Sequence, residues 1–203
     1  SNLKIYGEIL SETNHENQEE IDTILEQTEK LDFLIQSLVK LSRMESGIIA
    51  VHSEDTTIKQ MLESIQQQFN VKVREKNITL SLCDTDLHVR CDSKWTVEAL
   101  GNIVDNAIKY TACGGNVQIK AEQYSFFVKI DIIDDGIGIE KEEIPKIFGR
   151  FYRSLSVADQ PGVGIGLFLA REIIQAQKGY IKVTSKRGKG STFSVFLPIA
   201  KKE

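Results

Sequence analysis

The stretch Phe126-Phe127-Val128-Lys129-Ile130-Asp131-Ile132-Ile133-Asp134-Asp135-Gly136-Ile137-Gly138 decides how the chain folds. Phe126, Val128, Ile130 and Ile132 share one parity, so a strand over 126–134 turns them toward the core. Asp134 has the same parity: it is an acid in register with the buried face, at the strand's end. Asp135 has the other parity and points to water. A buried carboxylate is costly unless something donates to it, and the exocyclic amino group of a nucleobase is such a donor. Gly136 and Gly138 follow, and glycine lets the backbone come close to a flat ligand. Taken alone, the motif reads equally as a turn with a capping aspartate.

Upstream, Asp92 caps a helix over 92–110 that carries Glu98, Asn102 and Asn106 at i, i+4 and i+8, with Lys109 and Tyr110 continuing the stripe. Leu100, Ile103, Val104 and Ala107 of the same helix need a core, so the polar stripe lies at its border, where a pocket would be. A solvated polar face explains a single helix as well. Asn oxygens are hard ligands suited to Mg²⁺, which takes its charge balance from phosphates. Lys109 can meet a phosphate as a point charge.

Downstream, Gly162-Val163-Gly164-Ile165-Gly166-Leu167 opens a helix over 166–177. Alternate glycines bare successive N–H groups at a helix N-terminus, which makes an anion site. The spacing is neither the Walker sequence nor the dinucleotide fingerprint. Before it lies a stretch of about 25 residues, long for a loop, with Phe148, Arg150, Phe151, Tyr152 and Arg153. Such a segment could close over a phosphorylated ligand, although Phe148 and Phe151 read more simply as hydrophobic anchors. Gly188-Lys189-Gly190-Ser191-Thr192 turns a hairpin between strands at 180–185 and 192–199.

Further strands at 48–51, 78–82, 87–91 and 117–122, and a helix over 56–74 with Asp55 as N-cap, complete an α+β layer: helices on one face of a mostly antiparallel sheet. Nearer the N-terminus, Ile21, Ile24, Leu25, Leu31, Leu34, Ile35, Leu38, Leu41 and Met44 recur at threes and fours, one face of a helix over 18–45. Residues 3–10 look like the end of a shorter helix, with a polar turn at 11–18. Such an antiparallel hairpin cannot bury its stripe alone. It should pair with a second copy as a four-helix bundle or dock on the rest of the chain. Gly47 ends it, which divides the chain into 1–46 and 47–203.

Composition narrows the classes. The 203 residues are 41% hydrophobic and 27% charged, as in a globular protein, and the net charge of −4 argues against a nucleic-acid binder. No run approaches the roughly 18 apolar residues that would span a bilayer. Cys83, Cys91 and Cys113 are odd in number and form no CxxC pair, which argues against a disulfide framework or a zinc site and suits a reducing compartment.

In this order the motifs resemble the ATP-binding domain of sensor histidine kinases, within the superfamily shared with gyrase-type topoisomerases, heat-shock chaperones and mismatch-repair ATPases. The family's N box matches Asn102 to Tyr110, its first glycine box Asp134 to Gly138, its F box Phe148 to Arg153, its second glycine box Gly162 to Gly166, and its last box Gly188 to Thr192. The resemblance covers about 48–200, and the helical pair resembles the family's dimerisation and phosphotransfer hairpin. It implies a two-layer α/β sandwich of the Bergerat type, with ATP and Mg²⁺ as cofactors. Asp134 would accept from the adenine amino group, and Asn106, helped by Asn102, would hold Mg²⁺. Lys109 and Arg153 would meet phosphates, and Tyr110 would flank the nucleotide. Gly136, Gly138 and Ile139 would line the nucleotide site with Leu167, while Gly162, Gly164 and Gly166 shape the lid hinge. Thr192 would sit near the base. The implied activity is transfer of the γ-phosphoryl group to a histidine and onward to the aspartate of a cognate response regulator. The implied assembly is a homodimer through the hairpin. The implied setting is a cytoplasmic fragment without membrane contact, from a parent anchored in the bacterial membrane.

Two features depart from the family pattern. Its acceptor histidine opens the first helix, in a segment like His-Asp/Glu-x-Arg-Thr-Pro. Among His15, His52 and His88 only His15-Glu16 copies its first two letters, and no Arg or Pro follows. The acceptor is therefore expected upstream of Ser1, and this chain is expected not to phosphorylate itself. Second, the chaperone and topoisomerase branch places a water-activating Glu four residues before the metal-binding Asn. Here that position is Asn102, and an amide cannot act as a general base. Glu98, one turn earlier, remains a candidate to polarise an incoming histidine, so Glu98, Asn102 and Lys109 form the candidate catalytic set. A gated ATPase and a non-catalytic dimerising scaffold are the competing readings.

Overall fold

A computed structural model describes residues 18–45, 51–154, 157, 160 and 162–200. They fall into two compact units, one holding α1 (Gln18–Glu45) together with 157–163, the other spanning Val51–Ser156 and Gly164–Glu203. In α1, Ile21 is buried, but Ile24, Leu31, Ile35, Leu38 and Val39 are exposed. The shorter helix expected at 3–10 lies outside the described residues, as does the turn except for Gln18, which opens α1.

The second unit runs β1 (Glu54–Thr57), α2 (Ile58–Glu75), β2 (Thr79–Leu82), β3 (His88–Cys91), α3 (Ser93–Tyr110), β4 (Asn116–Gln123), β5 (Phe127–Asp134), α4 (Gly166–Ala176), β6 (Tyr180–Ser185) and β7 (Ser191–Pro198). Five strands form one sheet in the order β2-β4-β5-β7-β6, with β2 parallel to β4 and every other pair antiparallel, while β1 and β3 make a small sheet of their own. One side of the large sheet is the core. Val128, Ile130 and Ile132 of β5 and Phe193, Val195 and Leu197 of β7 are buried there. The apolar stripes of the helices are buried as well, among them Met61 and Ile65 of α2, Ile103 and Val104 of α3, and Ile173 and Ile174 of α4. The other side carries charge and aromatic rings: Tyr180 stacks on Phe196 at 4.4 Å, beside Phe127. This is the expected α+β sandwich of helices on one face of a sheet.

Helix α3 starts where expected. Asp92 takes the N-cap position and its carboxylate accepts from the N–H of Trp95 at 3.2 Å. At the other end Lys76 Nζ donates to the carbonyls of Ile108 (2.8 Å) and Lys109 (2.6 Å), which supplies a cation and donors where the helix leaves carbonyls unpaired.

Three local expectations differ. Of the strand expected at 48–51 only Val51 is described, and it is irregular; the first strand is β1. Asp55 is not a helix cap. It pairs with Arg90 across the β1–β3 ladder and its carboxylate lies 2.6 Å from His88 Nδ1, while α2 begins after Thr57 with no side-chain cap. Pairing with a distant strand, with Thr56 turned inward, outweighs the local capping preference. Phe126 is 76% exposed: the strand begins one residue later, so its inward row starts at Val128.

Candidate active site

The inward row of β5 ends on Asp134, which is 7% exposed. Its Oδ1 accepts from the N–H of Gly136 at 3.0 Å and from the N–H of Ser191 at 3.2 Å. Both bonds fall on the same oxygen, and Oδ2 has no hydrogen bond among the described residues. Burial pushes the Asp134 carboxyl above its ordinary pKa, against the pull of those two N–H donors. Asp135, on the other parity, is exposed and accepts from the backbone N–H (2.9 Å) and side chain (2.8 Å) of Asn116, which hold its pKa down.

The loop after Asp134 is clamped on two sides. Ile137 donates its N–H to the Tyr110 carbonyl at the end of α3, and its own carbonyl accepts from the Gly188 N–H at 2.7 Å. Ile139 donates its N–H to Ser185 Oγ at 2.8 Å. Gly138 has φ 66°, and a Cβ there would run into the Lys186 carbonyl, so only glycine lets the loop lie on the β6–β7 hairpin.

Along α3 the polar stripe borders this corner. Asn102 Nδ2 donates to the Glu98 carbonyl at 3.1 Å, and its Oδ1 faces Gly166, where a Cβ would stand 3.1 Å away. The half-buried Asn106 amide has no partner among the described residues. Lys109 Nζ stands 4.7 Å over the Tyr110 ring, with no carboxylate paired to it among the described residues. Gly166 and Leu167 form the first turn of α4, and Gly162 and Gly164 before it take positive φ.

In the stretch before α4, Phe148 is half-buried under Arg171, and Arg150 lies 4.7 Å over Phe168. These contacts are the anchor. Phe151 is not part of it: it is exposed and held at φ 60°, unusual for a bulky side chain. Arg153 is half-buried. Of the histidines, His52 and His88 are exposed, and His15 lies outside the described residues.

Residues 91–201 match the family described as Histidine kinase-, DNA gyrase B-, and HSP90-like ATPase. The chain belongs to this ATPase family. It is 32% identical over 205 residues to the sensor histidine kinase WalK of Bacillus subtilis, an alignment that takes in 97% of this chain and 34% of WalK. The chain therefore spans about a third of that relative's length. Among solved structures, the mycobacterial sensor histidine kinase MprB is 25% identical with a TM-score of 0.65, covering 74% of this chain and 100% of that one. The Acinetobacter baumannii histidine kinase AdeS is 25% identical with a TM-score of 0.69, covering 89% and 84%.

Within this ATPase fold, one expected neighbour changes. Thr192 pairs with Ile133 and so belongs to the outer face of the sheet, away from Asp134. Ser191 is the residue opposite Asp134, buried, with its N–H on the carboxylate. The sequence held the signal: Ser191 shares the parity of Phe193, Val195 and Leu197. Ser185, which ties Ile139 to the hairpin, carried no sequence signal. The donor set on α3 also fits a hard divalent ion. Asn106 offers a carbonyl oxygen with no partner among the described residues, and an amide oxygen is a hard donor.

Proposed function

We propose that the unit from Val51 onward binds ATP with Mg²⁺ and passes the γ-phosphoryl group to a histidine, for relay to an aspartate of a response regulator. One observation carries this reading: a buried carboxylate with one oxygen fixed by backbone N–H groups and the other without a hydrogen bond among the described residues, beside a helix that presents two amides and an ammonium with no carboxylate partner among those residues. Asp134 Oδ2 accepts from the adenine amino group. Asn106, with Asn102, holds the metal, which when bound offsets phosphate charge. Lys109 and Arg153 face the phosphates, and N–H groups at the start of α4 add to them. Tyr110 closes one side of the base, and Glu98 lies one turn from Asn102, placed to orient an incoming imidazole. In phosphoryl transfer the protein mainly positions groups and stabilises charge, and these residues suffice for that.

Asn102 supports transfer over hydrolysis, because its amide cannot take a proton from water. The apolar stripe of α1, exposed at Ile24, Leu31 and Ile35, suits a second copy of the chain, so that 1–46 would dimerise and 47–203 would catalyse. The cognate response regulator and a membrane-anchored parent belong to the same reading, drawn from the sensor-kinase relatives. The test is incubation with γ-labelled ATP, Mg²⁺ and a histidine-bearing helical hairpin. Label on the hairpin histidine is expected; release of inorganic phosphate alone would favour the gated ATPase.

A further inference from the structure

Asp134, Ser191 and Ser185 stand side by side on three neighbouring strands, Asp134 opposite Ser191 in the β5–β7 ladder and Ser191 opposite Ser185 in the β6–β7 ladder. All three face the helices, as a polar row closing the end of an apolar face. Ser185 Oγ has three close neighbours: the Ile139 N–H at 2.8 Å, the Gly190 carbonyl at 2.9 Å and Ser191 Oγ at 2.9 Å.

A hydroxyl has one proton and two lone pairs. The Gly190 carbonyl can only accept, so the Ser185 proton goes to it. The Ile139 N–H uses one lone pair, and the remaining one meets Ser191, which must therefore donate. The reverse arrangement would set a Ser185 lone pair against the Gly190 carbonyl oxygen at 2.9 Å, an unpaired and repulsive contact. Once its proton is spent on Ser185, Ser191 Oγ shows only lone pairs to the space beside Asp134.

We propose that Ser185 is a positioning residue for base selectivity, acting by fixing the direction of the Ser191 hydroxyl. This rests on the reading of Asp134 as the purine contact. With Ser185 in place, Asp134 Oδ2 and Ser191 Oγ are both acceptors. A 6-amino purine satisfies them, and a 6-oxo purine sets its oxygen against them. Without Ser185, the Ser191 proton is free to turn and donate to a 6-oxo group, and the selectivity relaxes.

The experiment measures affinities for Mg·ADP and Mg·IDP in the wild type, Ser185→Ala, Ser185→Thr, Ser191→Ala and the double alanine variant. The ADP-over-IDP preference should fall about 3- to 10-fold in Ser185→Ala, the scale of one hydrogen bond. It should return in Ser185→Thr, which keeps the hydroxyl. Ser191→Ala should also lower the preference, and adding Ser185→Ala to it should change the ratio no further, because the two act as one unit. Equal losses for both nucleotides in Ser185→Ala, with the ratio intact, would show that the serine only braces the loop and would overturn the proposal. So would a wild type that does not discriminate. If Ser185→Ala fails to fold, Ser191→Ala decides, and an unchanged ratio there overturns it. Undiminished ADP binding by Asp134→Asn would instead overturn the underlying reading of Asp134.

Discussion

Asp131 and Asp134 stand three residues apart on β5, on opposite faces of the sheet, and the two faces treat them differently. On the outer face Asp131 accepts from Ser194 Oγ at 2.6 Å and pairs with Lys129 Nζ at 3.0 Å. That ammonium also reaches Glu122 at 3.3 Å and is held protonated well above its usual range. On the inner face Asp134 has two N–H groups on one oxygen, no hydrogen bond on the other among the described residues, and a pKa raised by burial. An acid whose neighbours satisfy it contributes to the scaffold. An acid kept dry and half-satisfied costs stability, and such a cost persists where a ligand makes use of it.

The sharpest way to break this contrast is to exchange each acid for its amide. Asp134→Asn keeps an oxygen for Gly136 and Ser191 but offers an NH₂ where the purine amino group arrives. Titration calorimetry should show Mg·ADP affinity reduced about 100-fold or more, as expected for a charged partner replaced by a like donor. Asp131→Asn should leave affinity unchanged. Stability should move the opposite way. A carboxyl whose folded pKa is raised loses stability as pH rises from its unfolded toward its folded value, and stays less favourable above it. Asp134→Asn should thus melt higher at neutral pH, by about 2–4 °C per kcal/mol recovered for a chain of this size. Asp131→Asn should melt lower.

A smaller effect separates the metal from the base. Asn106→Ala should weaken ADP binding about tenfold in the presence of Mg²⁺ and little in excess EDTA, since the lost oxygen serves the ion rather than the purine. Equal weakening under both conditions would place Asn106 against the nucleotide itself. The smallest effect belongs to Asp135. Its pKa is lowered by Asn116, so its contribution to stability is present above the unfolded value and lost as pH falls through the folded one. Asp135→Asn should flatten the acid limb of a stability-against-pH curve and leave nucleotide affinity alone.

Much of this was legible in the sequence, because local rules and the fold agreed. The alternation in β5 placed Asp134 inward, and Asp92 capped α3. What escaped depended on pairing between distant strands. Asp55 looks like a helix cap until β3 arrives beside it. The family resemblance puts Thr192 near the base, whereas register with β5 sets Ser191, not Thr192, opposite Asp134. Ser185 is invisible without the hairpin, since its three partners lie at positions 139, 190 and 191. Phe151 matched a hydrophobic anchor by type alone, and Phe148 fills that role.

The proposed site stands or falls on Asp134 Oδ2 taking a purine amino group. A crystal structure of the chain with a non-hydrolysable ATP analogue and Mg²⁺ tests it most directly. Adenine N6 is expected within about 3.2 Å of Asp134 Oδ2, with the triphosphate running toward Asn106 and Lys109. A base bound elsewhere, with Asp134 Oδ2 facing only water, would contradict it.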